Sequence, residues 1–149
     1  MDENILRDYF LGVRGAPELS QDLANAIEQV SETLQIVRIR DLESNFLIDR
    51  SMLIHLCDEI LEGKLHPTCL EPIAFALLTS DRFDWDDDLV ADVLNDWSAP
   101  AINLALTLPS VNQFREYLLS IRPYPDRPPS NPSDQSGKLI FQRRRMKLE

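Results

Sequence analysis

Pro72-Ile-Ala-Phe-Ala-Leu-Leu-Thr79 carries no charge and, apart from its closing threonine, no polar side chain. A helix that is apolar all round has no face to offer water, so other elements must enclose it. The stretch therefore predicts a buried central helix, and the rest of the chain has to supply its cover. Pro67 and Pro72 bracket the turn that precedes it, and Ser80-Asp81 ends it.

The neighbouring segments read as that cover. Upstream, Asp49 or Ser51 caps a helix to about Glu62, with Gly63 at the position where a left-handed residue ends a helix. Met52, Leu53, Leu56, Ile60 and Leu61 form its apolar side. Downstream, a helix from Asp86 to Trp97 stops before Pro100. Ala101 to Leu106 reads as an irregular or extended apolar link. Thr107 then caps a last helix, with Pro109 in its first turn, running to about Ile121.

Further out, Asp2 caps a helix to about Leu11, which Gly12 and Gly15 break. A second helix is predicted from Pro17 to Leu34, since Leu19, Leu23, Ala26, Ile27 and Val30 recur at helical spacing. Gln35-Ile-Val-Arg-Ile-Arg-Asp-Leu42 changes to a period of two. With a turn at Glu43-Ser44-Asn45 and a second strand at Phe46-Leu47-Ile48, it predicts a hairpin. A lone hairpin is marginal in water, so it must pack on the helices. The expected fold is α+β and mainly α: about six helices around one buried helix, with a short β-hairpin near 35–48.

The chain has 149 residues, 44% of them hydrophobic, which suits one globular domain. No apolar run reaches the ~18 residues of a membrane span. Met1-Asp2-Glu3-Asn4 lacks the basic and apolar regions of a secretory signal, so a cytoplasmic protein is expected. After Ile121 the composition shifts. Pro123, Pro125, Pro128, Pro129 and Pro132 lead to Lys138-Leu-Ile-Phe-Gln-Arg-Arg-Arg-Met-Lys147. The expected organisation is a mainly helical domain over 1–122 and a proline-rich, then basic, tail over 123–149.

Net charge is −10 and unevenly spread. Residues 1–121 hold 8 basic and 22 acidic side chains, a balance of −14, whereas residues 122–149 hold 7 basic and 3 acidic, a balance of +4. An acidic body repels phosphates, which argues against direct nucleic-acid binding by the body. The same field draws it toward a basic partner surface. Plain solubility is the competing explanation of a negative balance.

Acid is densest in Asp81-Arg-Phe-Asp-Trp-Asp-Asp-Asp-Leu-Val-Ala-Asp-Val-Leu-Asn-Asp-Trp97, with seven aspartates against one arginine. Acidic groups in a first helical turn offset the helix dipole by ~0.3–1 kcal/mol each. One or two would suffice, yet Asp84, Asp86, Asp87 and Asp88 fall within five residues and repel one another. That surplus points to a partner. Asp84, Asp86, Asp87, Asp88, Asp92 and Asp96 are the expected contact residues, with Phe83 and Trp85 as aromatic anchors. Trp97 reads as core. In the tail, Arg143, Arg144 and Arg145 are candidate contacts, first to the acidic body, then to a partner, and third to nucleic acid.

Metal and catalytic signals are weak. Asp84, Asp86 and Asp88 imitate the start of a calcium loop, but its sixth position is Leu89 and its twelfth Asn95. His66 and Cys69 have a zinc half-site spacing with no second pair to match. Cys57 and Cys69 form no CxxC pair and read as reduced thiols, Cys69 as a small apolar residue in a turn. His55 with Asp58 or Glu59 is a conceivable acid–base pair, of a kind that many helices offer. No phosphate loop, nucleophile elbow or dinucleotide fingerprint occurs. The expectation is therefore no catalytic residues, no metal and no cofactor.

The segment from Ile73 to Leu106, with Ser80-Asp-x-Phe-x-Trp-Asp-Asp-Asp and Asp96-Trp-Ser-Ala-Pro-x-Ile-Asn, resembles a group of small bacterial proteins. In size, acidity and lack of catalytic motifs the whole chain resembles the immunity proteins that bacteria pair with toxins. That resemblance implies a cytoplasmic inhibitor that binds a toxin domain, often a nuclease, and covers its basic groove. Three alternatives accompany it. One is a nucleic-acid-mimicking inhibitor of a host or phage nuclease complex. Another is a small hydrolase using His55 and nearby carboxylates. The third is a structural adaptor subunit, suggested by the proline-rich tail.

Overall fold

The structure, a computed structural model, describes residues 1–100, 103–124 and, in backbone, 140–145. Helix α1 (Glu3–Phe10) starts where the Asp2 side chain accepts from the Asn4 amide at 2.9 Å, and it buries Leu6 and Tyr9. Helix α2 (Ala16–Ala26) has Pro17 in its first turn and buries Ala16, Leu19, Leu23 and Ala26 along one stripe.

The sequence expectation departs from the structure here. Helix α2 ends at Ala26 instead of Leu34, and Ile27–Gln29 form strand β1, antiparallel to β2 (Leu34–Ile39) with Ile27 opposite Val37. The physical reason lies beyond Ala26. Glu28, Gln29, Ser31 and Glu32 are exposed, so a longer helix would bury nothing more, and the Ser31 hydroxyl accepts from the Leu34 amide at 3.1 Å to close the turn. The hairpin therefore uses β1 and β2. The expected second strand, β3 (Phe46–Leu47), pairs in parallel with β4 (Phe83–Asp84). Edge-to-face contact between the Phe46 and Phe83 rings, 5.9 Å between centroids, holds that pair together.

Helix α3 (Arg50–Leu61) is capped by Asp49, which accepts from the Met52 amide at 3.0 Å. It ends at Gly63 with φ +81°, the left-handed conformation that glycine adopts without a Cβ penalty. A short 3-10 turn (Pro67–Cys69) leads into α4 (Leu70–Thr79), whose Leu70, Ile73, Ala74, Ala76 and Leu77 are fully buried. Helix α5 (Asp88–Ser98) packs on α4, and α6 (Leu108–Leu118) packs on α3. Trp97 of α5 is fully buried, edge-on to Phe114 of α6 at 5.9 Å. The architecture is thus α+β and mainly α, with six α-helices among the described residues.

Strand β5 (Ile140–Arg145) lies parallel to β2, with Leu34 opposite Ile140 and Ile39 opposite Arg145. The basic end of the sequence therefore completes a three-stranded sheet in the order β1-β2-β5. The proline-rich stretch over 125–139 and the start of the link at 101–102 lie outside the described residues, as do the side chains of Arg143, Arg144 and Arg145. Among the described residues, no helix is long and apolar enough to cross a membrane.

Two outcomes follow from the burial of α4. Leu77→Ala, which empties a fully buried site, should lower unfolding free energy in urea by ~2–5 kcal/mol. Glu71 sits half-buried in the first turn of α4, and burial pushes its carboxyl up to about 7. The native state then holds a proton that the unfolded chain releases near ~4.3. That contribution is complete below the unfolded value and is lost as pH rises toward 7. Glu71→Gln should remove this slope from a stability-versus-pH series.

Candidate functional site

The acidic segment is held at both ends. Upstream, the Ser80 hydroxyl accepts from the Arg82 and Phe83 amides at 3.1 and 3.2 Å, tightening the turn into β4. Phe83 is then buried against Phe46, and the Phe46 and Ile48 amides donate to the carbonyls of Arg82 and Asp84 at 2.8 and 2.7 Å. Downstream, Asp87 caps α5 by accepting from the Leu89 amide at 3.0 Å. The same carboxylate receives the Arg50 guanidinium, with Nη2 to Oδ1 at 3.1 Å and Nε to Oδ2 as the second contact. Arg50 Nη1 also donates to the Ser120 hydroxyl at 3.0 Å. One guanidinium thereby ties the starts of α3 and α5 to the end of α6.

The hydrogen bond from Arg50 holds the Asp87 carboxyl below the usual carboxylate range, and Asp87 raises the guanidinium in turn. The resulting stability is present above the ordinary aspartate value and is lost as pH falls through the lowered one.

The expected contact residues divide into three groups. Asp84, Asp86, Asp88 and Asp92 are exposed, and none has an ion pair among the described residues. Asp87 is committed to the cap and to Arg50, and Asp96 is buried in α5. Phe83 lies in the core, because its ring completes the β3–β4 contact, so it is not presented as an anchor. Trp85 is half-buried against the core. Sequence reasoning missed four neighbours: Arg50, Ser120 and the exposed side chains of Leu47 and Ile121. Leu47 stands in register with Asp84 across the β3–β4 pair, and Ile121 follows the serine that Arg50 reaches. No local pattern announces these contacts, since Arg50 and Asp87 are 37 positions apart.

His55 is exposed on α3 and is not packed in the core. Its ring lies 5.1 Å from that of Tyr9, and Nε2 is 3.3 Å from Glu59 Oε1. Asp58, the other nearby carboxylate, pairs with Arg115. The buried Tyr9 hydroxyl has no hydrogen-bond partner among the described residues, and burial, then the Glu59 charge, raises it above the usual phenol range. Cys57 is fully buried, its thiol pushed up to about 12 by burial and then by Asp58. Burial likewise raises Cys69. Both thiols are free and stay protonated at neutral pH, the inert form. His66 Nδ1 accepts from the Thr68 amide at 3.3 Å, capping the 3-10 turn, and contacts the Thr68 hydroxyl at 2.7 Å. Among the described residues, no group of three or more His, Cys, Asp or Glu side chains is placed to hold a metal ion.

No known protein family matches the chain, and neither does any curated protein or solved structure.

The division of the aspartates has a direct readout in stability. Asp87→Ala removes a cap, at ~1 kcal/mol, and a part-exposed ion pair, at ~0–1 kcal/mol. Asp86→Ala and Asp92→Ala should each stay within ~0.5 kcal/mol of the parent. Chemical denaturation of the three variants measures the contrast.

Proposed function

We propose that the chain is an immunity-type binding module that neutralises a toxin domain by laying an acidic surface over its basic groove. The observation that carries this reading is the set of exposed carboxylates on Asp84, Asp86, Asp88 and Asp92, without an ion pair among the described residues, in a segment pinned at both ends. Four like charges in a nine-residue span repel one another and contribute little to the fold beyond the dipole of α5. A basic groove that normally receives phosphates turns that repulsion into attraction. The pinning supplies preorganisation, so little conformational entropy is lost on association. Trp85 and Leu47 border the charges and give the apolar contact that a stable interface needs beside its polar rim. Such an inhibitor acts in the cytoplasm, where a nuclease-like toxin meets its substrate.

The test is reversal of charge at the unpaired positions only. Asp84, Asp86 and Asp88 are changed together to lysine, leaving the Asp87 cap intact. With a partner recovered from the source cell, association at low salt should slow by about tenfold or more and lose its salt dependence, while the melting profile stays near that of the parent. Unchanged association kinetics would make the segment solvated surface and overturn the reading.

A further inference from the structure

We infer that the end of β2, with the flanking helices α1 and α2, forms a binding site for a small organic phosphate. A cavity of about 330 Å³ opens there, lined by Ile5, Asp22, Asn25, Ala26, Arg38 and Arg40 among others. That volume lies at the lower end of the ~300–1,000 Å³ of small-molecule sites. A second hollow shares Ile5, Asp22 and Asn25 and extends the groove along α2 toward Pro17 and Gln21.

The walls are chemically divided. Ile5 and Ala26 give an apolar floor, Asp22 and Asn25 stand on the helix side, and Arg38 and Arg40 stand on the strand side. Asp22 is already anchored, accepting from the Asp2 amide at 2.9 Å. Arg38 pairs with Glu28 at 2.7 Å. Arg40 is different. Its backbone is fixed on both sides, its amide donating to Met1 O at 2.8 Å and its carbonyl accepting from the Glu3 amide at 2.9 Å. Its guanidinium has no acidic partner among the described residues. Shortage of acid does not explain this in a chain of net charge −10. Arg7, Arg14, Arg50, Lys64, Arg115 and Arg122 each find a carboxylate, and Arg82, outside the cavity, shares with Arg40 the lack of one among the described residues.

A phosphoryl group, with ~1.5–2 negative charges and three acceptor oxygens, fits a wall that carries two arginines, Arg38 and Arg40, better than a single carboxylate does. Hydroxyl or amine groups on the rest of the ligand would meet Asp22 and Asn25 across the cavity.

The test uses the full chain, ¹⁵N-labelled and titrated at physiological salt with ribose 5-phosphate, and with ribose as the uncharged counterpart. The amides of Ile5, Asn25, Arg38 and Arg40 should shift saturably with the phosphate and stay still with ribose. Arg40→Gln should weaken binding by about tenfold or more. Arg82→Gln, which removes an exposed arginine of the acidic segment, should leave it unchanged. Absence of saturable shifts, equal response to ribose, or equal weakening in both variants would overturn the site.

Discussion

Helix α4 has no face for water, and the fold is arranged around that constraint. Leu70, Ile73, Ala74, Ala76 and Leu77 point in several directions from one axis, and all are sealed. A single neighbouring layer cannot do this. Helix α5 packs along α4, the 3-10 turn crowds its start, and β5 and β4 reach it from the sheet regions. Alanine at two of these positions lets neighbours approach closely without leaving voids. The acidic segment inherits its position from this enclosure, because it is the connection that turns the chain from α4 into α5.

Features set by local chemistry were legible in the sequence. The caps at Asp2, Asp49 and Thr107, the glycine stop at Gly63 and the burial of Trp97 all lie where side-chain type and spacing place them. Features set by distant partners were not. The apolar stripe of α2 continues in sequence through Ile27 and Val30, so periodicity alone extends the helix. Only the presence of β2 as a pairing surface ends it at Ala26. Likewise Phe46 and Leu47 carry no mark of a partner at Phe83 and Asp84, and the turn at Glu43-Ser44-Asn45 wrongly suggests one nearby. Exposure of Asp84, Asp86, Asp88 and Asp92 was readable from their crowding. Burial of Phe83 was not, since it depends on Phe46.

Charge in this molecule is separated as well as unbalanced. Most described cations are held by carboxylates on the same or a neighbouring element, which leaves the unpaired acids of the α5 start as one pole. The other pole is the strand end where Arg38 and Arg40 line one cavity. The two poles stand on different elements, so neither cancels the other locally, and at physiological ionic strength the field of each fades over ~8 Å.

Ser120 shows how the acidic pole is kept in place. It follows α6 with φ +60°, its amide donating to Tyr117 O and the next amide, Ile121, donating to Glu116 O, both at 3.0 Å. This is the helix-ending motif that Gly63 forms after α3, where glycine serves without strain. A side chain in that conformation costs ~1–2 kcal/mol, so a purely local optimum would place glycine here too. Glycine, however, has no hydroxyl for Arg50 Nη1. Without that contact the guanidinium would be fixed from the Asp87 side alone. The serine trades backbone comfort at the end of α6 for a fixed orientation of Arg50, and through Arg50 for a fixed start of α5. Strain at one helix terminus thus contributes to the rigidity of the acidic surface next to it.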